Sequence, residues 1–152
     1  MKNSILLIFT LIFAGAANAQ SRFSPKEFSI NGYRNPSAGV EFRVKLVSVH
    51  AGYYPSNFKA GVTTDFFKAG ATVWFLPVGK KENPSSFYAG ANYLRGLSFD
   101  YDHKNAISME TGFRWMIWKG LNLRVGAIVV AGAGQGAKVN PTSGLSYSFF
   151  IK

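Results

Sequence analysis

Apolar and polar side chains alternate with a period of two in eight segments between Phe28 and Ile151. Such alternation is the mark of strands, whose successive side chains face opposite sides. Phe28, Ile30 and Gly32 alternate with Ser29, Asn31 and Tyr33, and Val40, Phe42 and Val44 with Glu41 and Arg43. Val47, Val49, Ala51 and Tyr53 oppose Ser48, His50 and Gly52, and the slip of parity between Val44 and Val47 predicts a tight turn at Lys45 and Leu46. A fourth strand is expected over about Asp65 to Leu76, setting Phe67, Ala69, Ala71, Val73 and Phe75 against Lys68, Gly70, Thr72 and Trp74. A fifth, about Ser86 to Arg95, sets Phe87, Ala89, Ala91 and Tyr93 against Tyr88, Gly90 and Asn92. The sixth runs from Ile107 to Ile117 with Glu110, Gly112, Arg114 and Met116 on its other face, and Lys119-Gly120 turns it into the seventh. There Leu121, Leu123, Val125, Ala127 and Val129 oppose Asn122, Arg124 and Gly126. In the eighth, Leu145, Tyr147, Phe149 and Ile151 oppose Ser146 and Ser148. The pattern predicts an all-β fold, an eight-stranded antiparallel up-and-down barrel.

The connections alternate in length. The links at Lys45 and at Lys119-Gly120 are minimal, whereas Pro55 to Thr64, Gly96 to Lys104 and Gly132 to Pro141 are rich in Gly, Pro, Asn and Thr and are expected to be longer loops. Short turns fall on one rim, together with Val78 to Pro84, and the loops fall on the other. Both chain ends belong to the turn rim. No internal repeat or second domain interrupts the series.

The first residues change the setting. Met1 and Lys2 precede an apolar run from Ile5 to Ala14, and Ala17-Asn18-Ala19 is a small-x-small cleavage site before Gln20. Residues 1–19 are therefore expected to be a signal peptide cut between Ala19 and Gln20, with the barrel domain over 20–152. The apolar run is shorter than the ~20 residues a membrane helix needs, and no later run approaches that length, so any spanning must be done by strands. Without Lys2 the chain keeps 16 basic and 7 acidic residues, a net charge of +9. For an exported protein this favours anionic lipid headgroups over nucleic acid as partners. There is no cysteine, so stability cannot come from disulfides.

Alternation alone does not tell a lipid-facing wall from a soluble core. Gly52, Gly70, Gly90, Gly112 and Gly126 share a parity with Arg43, Lys68, Glu110, Arg114 and Arg124. In a barrel of eight strands the interior barely holds side chains, so long charged groups there need small neighbours. The apolar parity carries no charge within the body of any strand, and a charge on a lipid face costs about 2–4 kcal/mol near the midplane. Aromatic residues gather towards the loop rim (Tyr33, Tyr53, Tyr54, Phe66, Phe67, Tyr93) and towards the turn rim. The second group holds Trp74, Phe75, Phe87, Tyr88, Trp115, Trp118, Phe149 and Phe150, so two interfacial girdles are expected. The expected fold is thus a transmembrane barrel.

The signal peptide, the eight alternating strands and the closing strand Leu145-Ser146-Tyr147-Ser148-Phe149-Phe150-Ile151-Lys152 resemble the small outer-membrane β-barrel superfamily that contains the OmpA transmembrane domain and OmpX. The resemblance covers essentially the whole mature chain. It implies a bacterial outer-membrane location, contact with outer-membrane lipids including lipopolysaccharide, and assembly by the barrel-assembly machinery. In that family an amphipathic last strand ending in an aromatic residue is the assembly signal, which falls here on Tyr147, Phe149 and Phe150. Ile151 and Lys152 follow the last aromatic, a departure from the family's terminal position. No peptidoglycan-binding domain follows the barrel.

Candidate chemistry is sparse. Glu41, Arg43, Lys68, Glu110, Arg114 and Arg124 are expected to share the interior as an ion network that plugs the barrel. The resemblance adds a gate, since such a network can rearrange to open a small conductance. A lipid A-modifying enzyme would need a Ser nucleophile and a His base near the external boundary. Ser48 and His50 point inwards mid-strand, and His103 lies in a loop with Ser98, Asp100 and Asp102, so neither makes the adjacent His-Ser pair of the deacylases. Asp100, Asp102 and His103 are a weak metal set. The stretch from Gly132 to Lys138 lacks the spacing of a phosphate loop. Arg34, Lys59, Arg95, Lys104 and Lys138 are placed at the loop rim facing lipid phosphates, and Lys45, Lys80, Lys81, Lys119 and Lys152 at the other. The expected function is a structural or surface-interaction barrel serving envelope integrity, with a small gated pore as the alternative and no enzyme, cofactor or metal.

Overall fold

The computed structural model describes residues 23–151 apart from Arg34, Ala60 and Ala133, so the expected signal segment and its cleavage pair Ala19 and Gln20 lie outside the described residues, as does Lys152. Eight strands follow one another: β1 (Lys26–Gly32), β2 (Ala38–Val44), β3 (Val47–Lys59), β4 (Val62–Val78), β5 (Ser85–Gly96), β6 (Asn105–Trp118), β7 (Leu121–Gly132) and β8 (Gln135–Ile151). Each pairs antiparallel with the next. β1 also pairs with β8, from Lys26 against Ile151 to Gly32 against Leu145, so the sheet closes into a barrel. Closure leaves no full-length edge. One short 3-10 turn, Phe99–Tyr101, interrupts the link between β5 and β6.

The turns at Lys45-Leu46 and Lys119-Gly120 are where alternation places them, with Val44 paired to Val47. Lys45, Lys119 and Gly120 have positive φ, as tight connections between twisted strands require. The expected long loops at 55–64 and 132–141 are instead mostly strand. β3 stays paired to β4 as far as Lys59 against Val62, and β7 to β8 as far as Gly132 against Gln135, leaving two residues to connect each pair. Loop-forming composition misleads here because a two-stranded ladder satisfies its own backbone whatever the polarity of its side chains. Pro55 and Pro141 are tolerated because the outer edge of each strand is unpaired at that height.

That height difference shapes the molecule. β1 and β2 are 7 residues long, whereas β4 and β8 have 17. Two tall hairpins, β3-β4 and β7-β8, therefore rise on either side of a low hairpin. Asn35 and Pro36, in the link between the two short strands, fill the base of the gap by folding inwards. Asn35 N–H donates to the Ser143 carbonyl (3.0 Å) and Ser37 N–H to the Tyr53 carbonyl (2.7 Å), while the Asn35 and Pro36 side chains are buried. Glycine makes this possible. A Cβ on Gly52 would stand 2.6 Å from the Ala38 carbonyl oxygen and 2.9 Å from the Pro36 ring. One on Gly144 would meet the Asn35 carbonyl at 2.8 Å. Gly52 and Gly144 thus make room for the infolded loop, whereas only Gly90, whose Cβ would stand 3.4 Å from the Glu110 side chain, closely borders a charged one among the inward glycines of the pattern.

Polarity is inverted relative to a water-soluble barrel. Exposed large residues on the outer wall include Val40, Val49, Phe67, Val73, Met109, Trp115, Val125 and Phe149, whereas all three glutamates of the strand interior are buried. The expected aromatic girdles need correction. Tyr54, Phe66, Trp74 and Tyr88 point into the barrel and are buried, because they fall on the inward parity. Tyr53, Phe67 and Tyr93 remain outside towards the loop rim, and Phe87, Trp115, Trp118 and Phe149 towards the turn rim.

Candidate functional site

The barrel interior brings the candidate residues together. At the turn rim Phe23, Trp74 and Tyr88 form an apolar cluster with Leu46 packed against it. Three guanidinium groups rest on these rings: Arg43 lies 4.8 Å from the Phe23 ring centre, and Arg114 and Arg124 lie 4.4 Å and 4.9 Å from that of Trp74. A cation held against an aromatic face is attracted by the ring quadrupole, more strongly once both are out of water. This contact supports Arg114, whose Nε and Nη2 have no hydrogen-bond partner among the described residues.

These three guanidinium groups belong to the ion network. Glu27 accepts from Arg43 on one oxygen and from Arg114 Nη1 on the other (2.8 Å). Arg124 Nη2 donates to Glu41 (2.6 Å), whose second oxygen accepts from the Ser48 hydroxyl. Lys68 Nζ donates both to Glu110 (2.6 Å) and to Asn35 Oδ1 (2.7 Å), and the Asn35 amide donates back to Glu110 (2.9 Å). All six expected network residues are buried in the interior. They form three clusters, each centred on a carboxylate.

Glu27 is the member that alternation missed. β1 begins at Lys26, two residues before the first apolar position of the pattern. With Glu27 the interior holds three carboxylates against Arg43, Lys68, Arg114 and Arg124, so the excess of positive charge falls from two to one. The Ser24 to Phe28 segment carried one usable signal: Glu27 shares parity with Ser29 and Asn31. Asn35 had none, since a loop residue reveals nothing of its direction. Towards the loop rim Tyr54, Phe66, Leu94, Tyr101, Ala106, Ile128 and Val130 form a second apolar cluster. Tyr101 enters it from the 99–101 turn and meets Phe66 edge-on at 5.1 Å.

Other expected residues are placed as follows. His50 pairs with Asn92 through Nε2 (2.7 Å), while Ser48 accepts from the Trp74 indole N–H (2.8 Å), so the two turn to different partners. His103 is exposed, 3.7 Å from Asp102. Among the described residues no group of three His, Asp or Glu converges as a metal site would require. Of the proposed assembly residues, Tyr147 and Phe149 face outwards with their rings 5.0 Å apart, whereas Phe150 lies on the inward parity opposite Glu27. Arg95 at the loop rim donates to Asn105 (2.6 Å), Lys104 donates to the Asp100 carbonyl (2.9 Å), Lys59 closes β3, and Lys138 lies on the inward parity of β8. No family model matches the chain, and no curated protein or solved structure matches it either.

Proposed function

We propose that the chain is a small integral outer-membrane barrel, closed to free passage, with a structural or surface-interaction role in the bacterial envelope. One observation carries this reading: large apolar side chains cover the outer wall while seven charged groups are enclosed within it. In water such a wall would expose far more contiguous apolar surface than a soluble monomer tolerates. In lipid it is the expected arrangement, because a closed sheet satisfies its own backbone and hides its charges from the hydrocarbon. Among the described side chains, the charged ones on the outward parity of the strands, Lys26, Asp65 and Arg95, stand near strand ends, where charge is tolerated. The N-terminal signal pattern and the amphipathic closing strand support export and assembly, as in the OmpA/OmpX-like superfamily that the chain resembles. Lipopolysaccharide and the barrel-assembly machinery are the corresponding partners, and no catalytic role is assigned.

The interior favours a plug. Apolar clusters towards both rims flank the buried charges, which supports a closed interior. A second reading, a gated pore, is favoured by the Lys68, Glu110 and Asn35 cluster, which ties the infolded loop to the interior. Planar-bilayer recording tests both. The wild-type protein is expected to be silent, and Glu110→Ala, which frees both Lys68 and the loop, is expected to produce discrete conductance steps. Open wild-type channels would overturn the plug, and a silent Glu110→Ala would overturn the gate.

A further inference from the structure

The outer wall is not evenly covered. Across β4 to β7 several outward positions in the strand bodies carry short side chains: Ala71, Ala89, Ala91, Thr111 and Ala127. With Met109 and Val129 beside them they line an apolar depression of about 590 Å³. At the next outward positions towards the loop rim, Tyr93, Ile107 and Ala131 line a second depression of about 140 Å³, which reaches Asn105. Small residues alone do not make a site on such a wall, since hydrocarbon fills any hollow. What sets this face apart is its upper end.

Arg95 and Asn105 are cross-strand neighbours there. Asn105 Oδ1 accepts both from Arg95 Nη1 (2.6 Å) and from the Tyr93 hydroxyl (2.8 Å). The shared oxygen holds the two donors side by side. It leaves the Asn105 amide and the rest of the guanidinium donors without a partner among the described residues. These groups are accessible, since Tyr93 and Asn105 are exposed and Arg95 is half-buried. No carboxylate among the described residues forms an ion pair with Arg95, and Asp65 on the same rim accepts instead from the Ser98 hydroxyl (3.4 Å). The groove thus ends in an uncompensated cation flanked by a free amide, a set of donors suited to a phosphate.

Length identifies the leaflet. From Asn105 to Thr111 β6 advances six residues, or about 20 Å of strand. At the ~40° tilt of such barrels this covers about 15 Å of depth, half of a ~30 Å hydrocarbon core. The alanine groove therefore spans one leaflet, the one whose headgroups lie at the loop rim. We propose that this face binds one lipid A molecule, with a phosphate held by Arg95 and the Asn105 amide and one acyl chain laid against Ala91, Ala89 and Ala127. The site rests on the outer-membrane reading above, which puts phosphorylated glycolipid at the loop rim, and it localises that contact to one side of the barrel.

The test is NMR of the isotope-labelled mature protein in phosphatidylcholine nanodiscs that carry a rising fraction of lipid A, of lipid A stripped of its phosphates, or of phosphatidylglycerol. Lipid A is expected to shift the side-chain signals of Arg95 and Asn105 together with the methyl signals of Ala71, Ala89 and Ala91, and to saturate. Arg95→Gln, and removal of the phosphates with wild-type protein, are each expected to weaken binding by about fivefold, as the loss of one cation–phosphate contact implies. Ala91→Leu, which fills the groove on a face where leucine is tolerated, is expected to weaken it as well, and Lys119→Gln on the opposite rim to leave it unchanged. Preserved heat-modifiable gel migration shows that each variant is folded, and the comparison of the two lipid A forms needs no variant. Shifts spread evenly round the wall, equal affinity for the two lipid A forms, full affinity in folded Arg95→Gln, or phosphatidylglycerol binding as tightly as lipid A would each overturn the site while leaving the membrane reading intact. Failure of the chain to enter nanodiscs would overturn both.

Discussion

At the scale of single residues, Glu27 is the position on which most depends. Its two oxygens serve two different guanidinium groups, and neither Arg43 nor Arg114 has a second carboxylate at hydrogen-bond distance among the described contacts. Removing one partner of a buried pair is more harmful than replacing the pair, because it strands the other charge. Glu27→Gln is therefore expected to destabilise the barrel by about 3–5 kcal/mol. The exposed Glu82→Gln should be close to neutral. Urea titration of the folded band on gels measures both, and equal midpoints for Glu27→Gln and wild type would contradict the role given to Glu27. The contrast with Glu41, Arg43, Glu110 and Arg114 shows where the sequence was readable. Those four lie inside alternating segments and are flanked by apolar residues on both sides, except that Thr111 follows Glu110, so their parity was visible. Glu27 precedes its first apolar marker, and Asn35 reaches the interior through a loop, where no periodicity exists.

At the scale of the elements, the strand bodies and turn rim were legible because alternation and turn residues agree there. The upper ends of β3, β4, β7 and β8 were not. Around Pro55, Thr63, Asn140 and Pro141 the side chains are turn-like in type, yet the strands persist because each hairpin pairs with itself. The inward aromatics were misplaced for a related reason: Trp74 and Tyr88 are large and apolar, but parity, not hydrophobicity, decides the face. The outer wall gives an element-level prediction. Ala89 faces outwards in the body of β5, and Ala38 faces outwards at the loop-rim end of β2. Ala89→Arg should lower folding into phospholipid vesicles by about 2–4 kcal/mol, and Ala38→Arg by about 0–1 kcal/mol. Equal folding yields for the two variants would mean that the wall does not sense depth. In a water-facing barrel both substitutions would be harmless.

For the whole molecule, the inversion of polarity ties the parts together. Seven charges lie inside, apolar clusters lie towards both rims, and the outer surface is the one expected of a barrel immersed in hydrocarbon. Interior charge and outer apolarity follow from one alternation, in which a shift of register by one residue would exchange the faces of a whole strand. Fractionation of Gram-negative cells expressing the full chain, with an alkaline wash of the membranes and gel migration before and after boiling, examines that inversion directly. The protein is expected to stay with the washed outer membrane and to change migration on boiling. Recovery in the soluble periplasm, with the same migration before and after boiling, would contradict it.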